Sequence, residues 1–324
     1  GLAEKLLAAI RLPQAIAGHD VSVTASLGIS VYPADGLEAI ELIKKAETAM
    51  RNVKEHGPDS IGFFIEAMNQ HAREQHSIES GIRRALHEHE FVLHYQPKID
   101  LRTATVVGAE ALIRWQKPGH GWVYPSDFIP VAEDSGLIVP LSKWVLAEAC
   151  RQTRDWQVAG LPPIRMSVNT SPIDFRQRDF VAGIERVLEQ TGLAPDCLEL
   201  EITEGVLMQN VEATMTALKR LTTLGTRLAI DDFGTGYSSL SYLRRFPIDV
   251  LKIDQSFIRN LCNDPNDAAL VSAIIHLGKS LGLNVIAEGI ETAEQLAFLK
   301  AHHCEEGQGY FFSKALPADA FARL

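Results

Sequence analysis

Between Val21 and Ile29, apolar or small residues alternate with polar ones: Val21, Val23, Ala25, Leu27 and Ile29 against Ser22, Thr24, Ser26 and Gly28. Period two is the mark of a half-buried strand, so Val21 to Val31 is expected to form one. Before it the spacing predicts a helix over Leu2 to Ile16. After it come a turn at Tyr32 to Gly36, a helix over Leu37 to His56 and a strand over Ile61 to Ile65. Leu37, Ile40, Ile43 and Ala46 to Ala49 form the apolar stripe of that second helix. This opening part, residues 1–66, is too short for a comfortable core of its own, so it reads as half of a domain or as a piece that packs on the remainder. The polar, proline-free stretch 67–84 is expected to be a connecting helix.

Residues 85–324 follow a different pattern. The strand-like runs FVLHYQPKI and ATVVGAEALIRW are separated only by a polar turn near Asp100 to Thr103. So short a link forces an antiparallel pair, because a parallel return needs a crossover of about a dozen residues. Beyond Val139 amphipathic helices alternate with the apolar runs PIRMSVN, CLELEIT, TRLAIDD, DVLKID, NVIAEG and GQGYFF. Strands alternating with helices imply parallel βαβ units, and this many of them over roughly 250 residues point to a closed α/β barrel of the TIM type.

Composition narrows the functional class. The formal net charge of −10, with no long Lys/Arg run, argues against a groove for a nucleic-acid polymer. A phosphate substrate would need recruited cations. Four cysteines without a CxxC pair fit reduced thiols in a cytoplasmic setting. Every apolar run is far shorter than a bilayer span. The chain begins at Gly1 without Met, which reads as a piece of something longer and leaves membrane attachment of the parent open.

In a βα barrel the chemistry sits at the C-terminal ends of the strands. Those ends carry Glu110, Asn169, Glu201, Glu204, Asp231, Asp232, Lys252, Asp254, Glu288, Glu291 and Gln308. Any one acid there could be a helix cap or a solvated rim charge. So many on one mouth would repel one another unless cations compensate them. Carboxylates with an amide oxygen form a hard oxygen shell suited to Mg²⁺ or Mn²⁺, and no histidine joins the set, which disfavours zinc. The number of acids exceeds what one ion needs; a two-metal clamp acting in line at a phosphate fits better. Lys252, a cation among anions, is read either as a salt-bridging residue or as one that holds the attacking water. Surrounding acids should raise its pKa, which favours water positioning over a free-base role. Arg114 lies on the Glu110 face of its strand and is a candidate phosphate fork or a rim ion pair.

EALIRW, SVNTSP, ELEITE, DDFGTGYSSL, LKID, AEGIE and GQGYFF, in this order and at barrel spacing, resemble the EAL family of cyclic-di-GMP phosphodiesterases. The resemblance implies a modified (β/α)8 barrel with an antiparallel first strand. It also implies hydrolysis of cyclic di-GMP to linear pGpG with two Mg²⁺ or Mn²⁺ ions. Matched position by position, the metal ligands would be Glu110, Asn169, Glu201, Asp231, Asp232 and Glu288, with Gln308 at the metal site. Lys252 would serve the nucleophilic water, Glu204 would tether the loop after the double Asp, and Glu291 would be the second acid of AEGIE. Gln96, Leu112, Arg114, Asp254 and Gly289 would meet the dinucleotide. The loop FGTGYSSL would couple a homodimer, formed through the barrel, to the site. A non-catalytic cyclic-di-GMP receptor using the same pocket is the competing reading. The opening part, with VTASLGISVYPADG and AMRNVK, resembles the C-terminal portion of a GGDEF diguanylate cyclase domain. The GGDEF signature is absent and Arg51 stands at an aromatic position, so a structural or regulatory role is expected there, alongside upstream sensor portions of the parent.

Overall fold

The computed structural model describes residues 1–12, 14–16, 19–55, 59–208, 211–235 and 243–324. The chain divides into two compact units, Gly1–Gly81 and Ile82–Leu324.

In the first unit the opening helix spans Leu2–Ile10, shorter than the expected run to Ile16. The chain instead makes a small antiparallel pair, Gln14–Ile16 with His19–Val21. A proline at position 13 explains the early stop, since it supplies no N–H and crowds the preceding turn. The expected strand from Val21 to Val31 is likewise corrected. Val21 belongs to that antiparallel pair, the stretch 22–26 is not strand, and Leu27–Ile29 pairs separately, parallel to Ile61–Phe63, with the helix Ala39–Glu55 packed on the latter two strands. Leu37, Ile40 and Ile43 are 74, 69 and 67 % exposed while Ala49 is fully buried, so only the later part of the expected apolar stripe faces a core. A helix over Glu66–Glu88 covers the stretch expected to connect the two parts.

The second unit is a closed barrel of strands β1 (Phe91–Asp100), β2 (Val106–Lys117), β3 (Arg165–Thr170), β4 (Leu198–Thr203), β5 (Arg227–Phe233), β6 (Val250–Ile253), β7 (Asn284–Ala287) and β8 (Glu306–Gly307). Strands β2 to β8 run parallel to their neighbours, while β1 is antiparallel to both β2 and β8. The α/β barrel with an inverted first strand is thus the fold that the sequence pattern implied. The tight β1–β2 turn is built by Asp100, whose Oδ1 accepts the N–H groups of Arg102 and Thr103 at 2.9 and 2.7 Å. The run GQGYFF contributes only its first residue to a strand; the chain turns after Gly307.

Strand alternation sorts the barrel into two faces. Leu198, Leu200, Ile202, Leu228, Ile230, Leu251 and Ile253 join the main core under the helices. Ala229, Val250 and Ile286 form a separate small apolar cluster in the lumen. The lumen also holds polar groups, with Lys98, Ser167, Glu199, Glu201 and Lys252 all buried. No described helix is long and apolar enough to cross a membrane.

Candidate active site

Adjacent residues on a flat strand point to opposite faces, so Asp231 and Asp232 should not share a site. A bulge brings them together. Between Ile230 and Phe233 the β5–β6 register slips, so that Ile230 pairs with Leu251 but Phe233 with Ile253. Asp232 takes a left-handed backbone with φ of 53°, a conformation Asp tolerates better than most residues. Its N–H donates to Asp231 Oδ1 at 3.0 Å. Carboxylate oxygens of Asp231, Asp232 and Glu288 consequently lie within 4.8 Å of one another.

Lys252 stands at the centre of this rim. Its Nζ is 2.6 Å from Glu201 Oε2, 2.9 Å from Asp231 Oδ1, 2.6 Å from Glu288 Oε1 and 4.0 Å from Glu110 Oε2. Burial alone would lower its pKa, but these carboxylates raise it well above the ordinary lysine value, so it is a cation and not a free base. Glu110 is held from two sides, by Asn169 Nδ2 at 2.7 Å and by Gln308 Nε2 at 2.6 Å. Gln308 Nε2 also donates to Gln96 Oε1 at 2.9 Å.

A cavity of about 380 Å³ opens over these groups, lined by Gln96, Glu110, Leu112, Asp231, Lys252, Glu288, Gly289, Glu291 and Gln308. Gln255, Arg259, Gly309 and Tyr310 complete the lining and were not singled out from the sequence. Asn169, exposed beside the cavity, and Glu201, fully buried, reach the same cluster through Glu110 and Lys252. Arg114 lies outside it; its guanidinium donates to the Ile113 carbonyl at 2.8 Å. Asp254 also lies outside and caps the short helix Gln255–Arg259 by accepting the Ser256 N–H at 3.0 Å. Glu204 is buried, and its Oε2 accepts the Gly234 N–H at 3.4 Å, just after the double Asp. Of the loop FGTGYSSL, only Phe233 to Thr235 falls within the described residues, so the expected coupling loop lies mostly outside them.

The donor set suits a hard divalent cation. Among the described residues, buried Gln308 Oε1 and Glu204 Oε1 have no hydrogen-bond partner, and a buried polar atom left unpaired is costly. The cluster carries more negative charge than its lysines offset, and the imbalance moves its pKa values. Burial, with Asp231, Glu110 and Glu201 adding to it against the pull of Lys252, pushes Glu288 up to about 8. Burial and the neighbouring Asp231 and Asp254 push Asp232 up to about 6. Burial and Glu201 also raise Glu110. Glu201, though fully buried, is held down at about 2 because Lys252 and Lys98 outweigh its desolvation. A cation binding here must displace the protons of Glu288 and Asp232. Mn²⁺ affinity, measured by calorimetry, is therefore expected to strengthen as pH rises from 6 to 8, by up to about tenfold per unit for each proton released. A constant affinity over that range would contradict the assignment.

The barrel fold agrees with what is known of similar proteins. A family profile described as "EAL domain" matches residues 79–315. The chain belongs to the EAL-domain family. A second profile, "Diguanylate cyclase, GGDEF domain", matches residues 1–60. The "Bifunctional diguanylate cyclase/cyclic di-GMP phosphodiesterase MucR" of Pseudomonas aeruginosa is 43% identical over 318 residues, which are 98% of this chain and 46% of that protein. The "Cyclic di-GMP phosphodiesterase PdeR" of Escherichia coli is 39% identical over 322 residues, 99% of this chain and 48% of the relative. The chain thus spans about half the length of the curated relatives it matches. A solved structure described as "PaMucR Phosphodiesterase, c-di-GMP complex" superposes with a TM-score of 0.74 at 42% identity, covering 76% of this chain and 99% of that one.

Within this EAL domain, sequence reading missed a second buried lysine, Lys98, and its partners Ser167 and Glu199. A signal for them exists. Lys98 follows Gln96 by two residues and Glu199 precedes Glu201 by two, so each shares the lumen face of a residue already singled out.

Proposed function

We propose that this chain hydrolyses one phosphodiester of cyclic di-GMP to give linear pGpG, with two Mg²⁺ or Mn²⁺ ions. The observation that carries the reading is the convergence of Glu110, Asn169, Glu201, Asp231, Asp232 and Glu288 around the buried ammonium of Lys252 at one barrel mouth. The names of the relatives, and the cyclic-di-GMP complex of the MucR structure, support the choice of substrate. Those six residues and the free oxygen of Gln308 would hold the ions. Bound there, the ions supply Lewis acidity at the phosphate and make water a nucleophile at neutral pH.

The protein groups do the rest. Lys252, kept charged, holds the attacking water in line and meets charge developing on the phosphoryl oxygens. Glu204 keeps the backbone after Asp232 in place through Gly234, and Glu291 lines the cavity beside Glu288. Gln96, Leu112 and Gly289 contact the dinucleotide within the cavity, and Arg114 and Asp254 do so at its rim. Residues 85–324 act as the phosphodiesterase and 1–66 as the C-terminal part of a GGDEF-like domain, joined by 67–84. The first part is assigned a structural or regulatory role, working with upstream portions of a longer parent whose membrane attachment stays open; this part of it is placed in the cytoplasm, and the barrel pairs with that of a second copy.

Incubation with Mn²⁺ and cyclic di-GMP, followed by chromatography, is expected to yield pGpG. Tight binding without product would make the chain a receptor, and neither binding nor product would remove cyclic di-GMP as its ligand.

A further inference from the structure

Lys98 sits on β1 at the floor of the polar lumen and is 2 % exposed. Its Nζ lies 2.7 Å from Glu201 Oε1, 2.9 Å from Glu199 Oε1 and 2.5 Å from Ser167 Oγ. Ser167 Oγ in turn donates to Glu199 Oε1 at 2.7 Å. The other oxygen of Glu201, Oε2, is 2.6 Å from Lys252 Nζ. Each oxygen of this fully buried carboxylate is therefore taken by a different ammonium, one from the mouth and one from beneath.

The two lysines are not equivalent. Lys252 lines the cavity; Lys98 does not. Its ammonium is held by Ser167, Glu199 and Glu201, and of these it is Glu201 that reaches on to Lys252 at the mouth. Lys98, Ser167 and Glu199 would already make a neutral, hydrogen-bonded unit, so charge balance alone does not require the contact to Glu201. A terminal carboxylate torsion is broad and soft, and an unanchored Glu201 could turn either oxygen, or both, toward a cation.

We propose that Lys98 is a positioning residue that clamps Glu201 Oε1 from below, so that Oε2 alone is presented at the mouth. The proposal rests on the reading of Glu201 as a cation ligand and extends it. Ligands are commonly oriented by partners one layer out, and losing such a partner lowers metal affinity or activity about 10- to 100-fold.

Lys98→Met alone leaves Glu199 and Glu201 buried without the ammonium they share and so confounds folding with function; the decisive variant is Lys98→Met with Glu199→Gln. That pair removes one charge of each sign, keeps side-chain volumes close and preserves an acceptor for Ser167. The double variant is expected to melt near the wild type, to bind Mn²⁺ about 10- to 100-fold more weakly by calorimetry, and to lose kcat by a similar factor. Its KM for cyclic di-GMP should stay within about threefold of wild type, because Lys98 does not face the cavity. Wild-type Mn²⁺ affinity and kcat in the double variant would overturn the positioning role while leaving the proposed function intact. Absence of Mn²⁺ binding and of pGpG formation in the wild type itself would overturn both.

Discussion

Lys252→Ala is expected to melt roughly 10 °C below the wild type when divalent ions are chelated, and to lose about 10³-fold in kcat. The side chain is 1 % exposed and its ammonium contacts Glu201, Asp231 and Glu288 within 2.9 Å. Taking the cation away leaves these carboxylates buried and uncompensated, and breaking a buried charge pair from one side costs about 3–5 kcal/mol. A divalent ion offers the same carboxylates a replacement charge, so added Mn²⁺ should raise the melting temperature of the variant more than that of the wild type. Activity should not return with it, since the ammonium that holds water is gone. Calorimetric melts in EDTA and in Mn²⁺, with steady-state kinetics on cyclic di-GMP, separate the two effects. Equal melting temperatures in EDTA would mean that the lysine is not the compensating charge. Equal losses in kcat and in substrate affinity would make it a binding residue.

Glu110→Ala is expected to reduce pGpG formation by about 10³-fold or more while the barrel still folds. Two energies oppose each other in the fold. The substitution removes one acceptor from Asn169 Nδ2 and one from Gln308 Nε2, but Asn169 is exposed and Gln308 Nε2 keeps its bond to Gln96 Oε1, so the loss stays near the low end of the about 1–3 kcal/mol that a buried unpaired group costs. It also removes a carboxylate whose charge is disfavoured by burial and by Glu201 and Asp231. Because Glu110 and Gln308 line the cavity, water can replace part of the lost bonding. A melting temperature only a few degrees below the wild type follows, while Mn²⁺ binding falls. A variant that keeps more than a tenth of the wild-type rate would remove Glu110 from the proposed cation site.

Several structural features were legible because local rules act on consecutive residues. The antiparallel β1–β2 pair follows from a turn too short for any other return, and Asp100 is the residue that closes it. The helix–strand alternation beyond Val139 led directly to the barrel, and the strand ends named from it supply six residues of the cavity lining: Glu110, Asp231, Lys252, Glu288, Glu291 and Gln308. The failures are equally local in origin. The alternation between Val21 and Val31 was real, but it was split: Val21 pairs with Gln14, Leu27–Ile29 pairs with Ile61–Phe63, and the residues between them form no strand. Periodicity states a preference for a strand and says nothing about what it will pair with. In the first unit, Leu37, Ile40 and Ile43 have a helical apolar spacing yet lie in solvent, because a stripe is buried only where something covers it.

What the sequence by itself determined is the order of elements, the inverted first strand and the residue types available at the mouth, since each is set by short-range periodicity, turn length and strand polarity. Tertiary structure decided how those residues meet. Strand alternation alone would have placed Asp231 and Asp232 on opposite faces; the bulge against β6 and a left-handed backbone at Asp232 put both on the rim. Closure of the barrel brought Lys98 against Glu201 across 103 positions of chain, and Gln308 against Glu110 across 198. Register and closure depend on every strand together, so no window of the chain carries them.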